Sequence, residues 1–227
     1  MNSNEMNVIA TIRTDFPTKF GIPRQSGIVE SLKAVIVFEP EYRNPDALRG
    51  LEEFSHIWLI WNFSAAKPRS GWSPTVRPPR LGGNQRMGVF ATRSPFRPNG
   101  LGLSAVELER VSLDEPDGPV LYVRGADMVS GTPIFDIKPY LAYADSYPDA
   151  SGGFTGGDAG ERLTVDFPPE LLARFDAGER QGLLSALAAD PRPRYQDDPE
   201  RVYGMRYDGR NVRFTVRDGT VFVTEVE

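Results

Sequence analysis

The sequence predicts a mainly β fold, a barrel or strongly curved sheet, with a small α+β domain at its C-terminal end. Short runs rich in Val, Ile, Phe and Trp, punctuated by Pro and Gly, fill the first two-thirds of the 227 residues, as strands do. No helical patterns of about 10–15 residues alternate with these runs, which disfavours a doubly wound parallel sheet. A Gly-rich stretch then precedes one more strand, a helical segment and two Asp-Gly pairs.

Taken in order, the first strands are Val8–Arg13 and Leu32–Phe38. A short helical turn follows, with Asn44 as cap and Pro45 in the first helical position, where its missing N–H costs nothing. Phe54–Phe63 is apolar at both alternating parities, which predicts a central strand covered on two sides. Met87–Thr92, Leu103–Val111, Val120–Arg124 and Thr132–Ile137 complete the first set. Ala150–Gly160 (ASGGFTGGDAG) reads as a flexible linker, which divides the chain into residues 1–150, a linker over 151–160, and a C-terminal domain over 161–227. That domain opens with strand Arg162–Phe167 and helical sequence from Pro169 to Ala189, in which Asp176 and Glu179 resemble a capping box. Asp208-Gly209 and Asp218-Gly219 each sit between apolar runs. The pair supplies the two positive-φ residues of a type I′ turn, so Val202–Val226 is expected as a three-stranded meander.

Composition excludes several chemistries. There is no cysteine, and His56 is the only histidine, so disulfides, thiolate zinc sites and histidine-rich metal centres are ruled out. No metal is expected. The N-terminus, Met1–Asn7, is polar. The longest apolar run, Ile57–Trp61, falls far short of the ~20 residues that span a bilayer, so a cytoplasmic protein without a membrane partner is expected. His56 lies within an apolar strand and reads as packed or structurally hydrogen-bonded rather than as a base. No G-x-G-x-x-G follows a strand and no lysine follows a glycine, which removes the Rossmann and Walker A signatures.

Net charge is −5, yet Phe54 to Ser104 holds no Asp or Glu. Its basic residues are Lys67, Arg69, Arg77, Arg80, Arg86, Arg93 and Arg97, while the rest of the chain has 19 of the 26 basic and all 31 acidic residues. A local basic stripe suits a phosphate backbone, because binding follows local field and counterion release rather than total charge. An Arg-rich surface without a partner is the alternative.

Four segments carry more than composition. Pro23-Arg24-Gln25-Ser26-Gly27 is a compact polar loop ahead of a strand. Arg77–Gly83 (RPPRLGG) leads to Gly88–Asn99 (GVFATRSPFRPN), whose loop is stiffened by Pro95 and Pro98. Arginines on such a loop lose little entropy when they clamp an anion, and Phe96 between them suits stacking on a base. Gly131-Thr132-Pro133 leads into Asp136-Ile137-Lys138-Pro139-Tyr140. Asp190-Pro191-Arg192-Pro193-Arg194-Tyr195 closes the helical part of the C-terminal region.

Together with Arg49–Trp58 (RGLEEFSHIW), these segments closely resemble the TrmO-like (YaeB-like) tRNA methyltransferase family over nearly the whole chain. The resemblance implies a single-sheeted β-barrel that uses S-adenosylmethionine, acts as a homodimer and methylates N6-threonylcarbamoyladenosine at position 37 of tRNA, beside the anticodon. It assigns the cofactor to Arg24, Gln25, Ser26 and Gly27, to Phe63 and Ser64, to Arg93 and Leu103, and to Asp127, Met128, Val129 and Ser130. Ser26 stands where relatives have proline, and Ser64 where a histidine occurs.

Within that assignment Arg24 or Arg93 would fork the methionine carboxylate. Phe63 offers an apolar face, or is a core residue. Asp127 would accept from a ribose hydroxyl, or caps its own turn. Asp136, with Lys138 and Tyr140, is the polar cluster expected to help remove the acceptor's proton, unless the first two simply point outward. Arg69, Arg77, Arg80, Arg86, Arg97, Arg192 and Arg194 would hold tRNA phosphates, and Phe96 or Tyr195 would stack on a loop base. Two rivals remain: an S-adenosylmethionine enzyme of the same fold acting on a small molecule, and a non-catalytic RNA-binding module.

Overall fold

The computed structural model describes residues 5–66, 71–156, 161–193, 196 and 198–227. Lys67, Arg69, Arg194 and Tyr195 therefore lie outside the described residues, as does the second part of the 151–160 linker. Six strands close a barrel: β1 (Ala10–Thr14), β2 (Lys33–Phe38), β3 (His56–Asn62), β6 (Leu101–Ser112), β7 (Val120–Arg124) and β8 (Thr132–Pro139). Their order is β1-β2-β7-β6-β3-β8, and every neighbouring pair is antiparallel. Closure leaves no free edge, which is how an all-antiparallel sheet avoids templating other chains.

Strand parity sets the core. Ile12, Ile36, Ile57, Leu59, Leu121, Val123 and Ile134 point inward and are fully buried. Gly102 on β6 is required for shape: a Cβ there would meet the Trp61 ring at 2.2 Å. Phe54–Phe63 was expected to be covered on both faces, and β3 instead alternates between buried Ile57, Leu59 and Trp61 and half-exposed Trp58, Ile60 and Asn62. Trp58 is covered from outside by Tyr140 and donates to the Asp145 carboxylate of α1 (Ala142–Asp145) at 2.9 Å. His56 is exposed and sits 3.0 Å from the Ser55 hydroxyl.

Between β3 and β6 lies a two-stranded ribbon, β4 (Thr75–Val76) with β5 (Met87–Gly88). The expected strand Met87–Thr92 is thus cut short, because Val89–Ala91 winds into a 3-10 turn. The cap at Asn44 is as expected, with its side chain accepting from the Asp46 amide.

The C-terminal sheet has the order β10-β11-β12-β9, formed by β9 (Thr164–Asp166), β10 (Tyr203–Tyr207), β11 (Arg210–Arg217) and β12 (Thr220–Val226). Both Asp-Gly turns form the meander as expected, with positive φ at Asp208, Gly209, Asp218 and Gly219. The helical stretch splits into α2 (Pro169–Leu172) and α3 (Ala177–Ala188); Asp176 occupies the N-cap of α3 without a side-chain capping bond.

The second core is not self-contained. Phe16, Val29 and Leu32, from the segment between β1 and β2, pack with Phe175, Leu183, Met205, Tyr207 and Phe214. Burial of side chains of that size stabilises by roughly 1.5–3 kcal/mol each. The C-terminal sheet and helix thus hold the segment that contains residues 24–27.

Candidate cofactor and RNA site

One end of the barrel collects the outgoing ends of β1, β3 and β7 and the incoming ends of β2, β6 and β8. Its loops are tied by backbone bonds. The Gly27 amide donates to the Gly125 carbonyl at 3.0 Å, and Gly125 donates to Leu32 at 2.8 Å. Gly125 has φ +75°, and a Cβ on it would approach the Gly27 nitrogen to 3.3 Å, so only glycine lets the two loops lie this close. Ser130 donates through its amide to Phe16 and accepts from the Thr14 amide on its hydroxyl. The Val129 carbonyl takes both the amide and the hydroxyl of Thr132. Residues 127–130 are therefore fixed before any ligand arrives.

The side chains converge on the same end. Arg93 donates to Gln25, joining the 88–99 loop to the 24–27 loop. Arg24 donates to the Arg192 carbonyl at 2.9 Å. The Asp127 carboxylate accepts from the Ser104 hydroxyl at 2.6 Å, and Ser104 in turn accepts from the Trp61 indole at 3.0 Å. Burial pushes the Asp127 carboxyl above the usual carboxylate range. The Ser104 hydroxyl, the amides of Asp127 and Ser26, and the Arg93 charge pull the other way. Phe63 packs on Trp61 with ring centroids 4.4 Å apart, so it is neither isolated nor fully buried. Met128 is buried in the barrel core, whereas Ser64 and Leu103 are exposed. A cleft of about 470 Å³ runs from Arg24, Ser26, Gly27 and Ile28 to Glu161, Arg162 and Ala189.

Ser104 was not anticipated from the sequence. It shares the inward parity of Val106 and Leu108 on β6, and a hydroxyl at a core parity is the signal that points to it.

Asp136, Lys138 and Tyr140 are not brought to this end. At about 3.3 Å per residue, Asp136 lies ~13 Å along β8 from Thr132, and Lys138 ~20 Å. Asp136 and Lys138 face outward as an exposed ion pair at 3.3 Å, and Tyr140 packs on Trp58 and His56 at the opposite end of β3. An extended strand cannot fold its far end back onto its start, which is why the sequence motif does not become a cluster with the cofactor loop.

The basic residues also divide. Arg77 and Arg86 are exposed, Arg80 is half-buried, and Phe96 is half-buried. Arg97 donates to the carbonyls of Val89 and Thr92. The Arg192 side chain is only 13% exposed, and its guanidinium forks the Asp190 carboxylate at 2.9 and 3.1 Å. Arg97 and Arg192 thus each brace a loop.

The family model for the tRNA-methyltransferase O N-terminal domain matches residues 11–146, and that for the TrmO C-terminal domain matches residues 160–227. This chain belongs to the TrmO family. A TrmO relative from Escherichia coli K12, named tRNA (adenine(37)-N6)-methyltransferase, is 41% identical over 235 residues, spanning all of this chain and 99% of that protein. A Pseudomonas aeruginosa protein named putative S-adenosylmethionine-dependent methyltransferase RcsF is 39% identical, covering 90% of this chain and 89% of its own length. The crystal structure of TrmO from Pseudomonas aeruginosa superposes with a TM-score of 0.79 at 31% identity, over the whole chain and 99% of that structure. The TrmO barrel and C-terminal sheet are thus shared by a solved structure. Among the described residues, no group of three or more His, Cys, Asp or Glu is placed to hold a metal, and no helix is long and apolar enough to cross a membrane.

Proposed function

We propose that this chain is an S-adenosylmethionine-dependent tRNA methyltransferase that methylates N6 of N6-threonylcarbamoyladenosine at position 37, and that it works as a cytoplasmic homodimer. The observation that carries the reading is the meeting of Arg24–Gly27, Arg93 and Asp127 at one barrel end, in a chain of this family.

The donor set fits the cofactor. When bound, S-adenosylmethionine supplies an electrophilic methyl on a sulfonium. Arg93 donates to a neutral amide, that of Gln25, which it can exchange for a carboxylate, since a charge-assisted fork is the stronger bond, and Arg24 lies on the adjoining loop. Asp127 would accept from a ribose hydroxyl, with Ser104 and Trp61 fixing its orientation. Phe63 and Leu103 would each offer the cofactor apolar surface. The Ser130 amide and the Met128 and Val129 carbonyls already bond within the protein, so the backbone of residues 128–130 would meet the adenine edge through its other groups.

With the cofactor bound, these residues would act mainly by orienting it toward the acceptor. Arg77, Arg80 and Arg86 in the acid-free segment supply the field for tRNA phosphates. Asp136 and Lys138 pair with each other and Tyr140 packs on Trp58, so this reading assigns them no proton transfer.

Mass spectrometry of tRNA nucleosides from cells lacking the protein tests the function. Loss of the N6-methylated threonylcarbamoyladenosine is the expected result, and an unchanged nucleoside profile contradicts it.

A further inference from the structure

Two large aromatic side chains of the acid-free segment are left outside the site described above. Phe90 is 71% exposed and Trp72 56%. Their ring centroids lie 6.2 Å apart at 31°. One exposed ring is ordinary; two neighbouring outward rings, one of them on a constrained turn, suit a ligand.

The constraint is specific. Phe90 is the middle residue of the Val89–Ala91 turn. Val89 beneath it is buried and donates to the Pro74 carbonyl at 2.9 Å. The Val89 carbonyl receives the Thr92 amide, the Thr92 hydroxyl and Arg97. Arg97 donates further to the Thr92 carbonyl at 2.6 Å, and its guanidinium carbon lies 5.9 Å from the Phe90 ring centre. The turn cannot relax to bury Phe90 without giving up these bonds.

The surroundings select the ligand. Seven basic residues and no acidic one lie between Phe54 and Ser104. An electropositive surface with outward rings suits a flat π-system attached to phosphates, because every base offers a face for stacking while the backbone meets the cations. We propose that Phe90 and Trp72 form a stacking platform for unpaired RNA bases, and that Phe90 has the role which the sequence suggested for the half-buried Phe96. The proposal rests on the reading of RNA as substrate and adds the residues that take up its loop bases.

The test is a titration of an anticodon stem-loop RNA across a salt series, using the full chain and the variants Phe90→Ala, Trp72→Ala and Phe90→Trp. Cofactor affinity and sedimentation mass are measured in parallel. Each alanine variant should weaken RNA binding about 5- to 150-fold with the salt slope unchanged, since the phosphate contacts remain. Phe90→Trp should keep wild-type affinity, and cofactor affinity and mass should not move. Wild-type RNA affinity in both alanine variants overturns the platform alone. A lower sedimentation mass in the variants also overturns it, by making the patch a contact between copies of the chain. Failure of the wild type to bind the RNA removes both the platform and the reading on which it rests.

Discussion

The Ser104 hydroxyl donates to the Asp127 carboxylate at 2.6 Å while accepting from the Trp61 indole at 3.0 Å. The three come from adjacent strands β3 and β6 and from the loop after β7, so one hydroxyl couples barrel packing to the only carboxylate of the proposed cofactor set. Ser104→Ala leaves an indole N–H and a carboxylate each short of a partner in a buried place. A loss of about 1–3 kcal/mol in unfolding free energy is expected, together with weaker binding of S-adenosylmethionine. Urea denaturation and calorimetry measure the two; unchanged values in both would remove Ser104 from the site's support.

Arg93 is exposed and bonds only across to Gln25 among the contacts described above, so its removal should spare the fold. Arg93→Ala is expected to lose about 1.5–3 kcal/mol of cofactor binding, the range of a hydrogen bond to a charged group. Thermal unfolding should stay near wild type. Wild-type affinity and turnover in this variant would take Arg93 out of the proposed set.

Gly125→Ala puts a Cβ at 3.3 Å from the Gly27 nitrogen on a backbone with φ +75°. The left-handed conformation alone costs an alanine roughly 1–2 kcal/mol, and the crowding moves residues 24–27 as well. Stability and cofactor affinity should therefore fall together. A variant destabilised with full cofactor affinity would show that the two loops need not touch for binding.

Acid stability should reflect Asp15, which lies just past β1 and faces Glu179 of α3 and Tyr207 of β10. Burial, then hydrogen bonding to Glu179, raises its pKa from 3.8 to about 7. The folded chain therefore holds this proton more tightly than the unfolded one. Its contribution is fully present below about pH 4 and is lost as pH rises toward about 7. Asp15→Asn cannot ionise, so its stability relative to wild type should increase between pH 4 and pH 7. A difference independent of pH over that window would contradict the assignment.

Much of the architecture is legible in the sequence because its causes are local. Short apolar runs mark β2 and β7, Asp-Gly marks both C-terminal turns, and Asn44-Pro45 marks its helical turn. What depends on distant partners is not legible. Phe16, Val29 and Leu32 lie in a loop without period, so nothing local shows that they complete a core with Phe175 and Tyr207. Arg97 and Arg192 look like solvated cations, and only the fold brings carbonyls or Asp190 within their reach. Asp136 through Tyr140 forms a motif in sequence, but an extended strand places it on the barrel's flank.

The central claim is tested most directly with one tRNA transcript, assayed before and after threonylcarbamoylation, at fixed salt and with methyl-labelled S-adenosylmethionine. Both forms should bind through their phosphates with a steep salt dependence, and only the threonylcarbamoylated form should gain label at N6 of the adenosine beside the anticodon. Equal labelling of the two forms would contradict the proposed acceptor, and labelling of neither, with the cofactor bound, would contradict tRNA methylation itself.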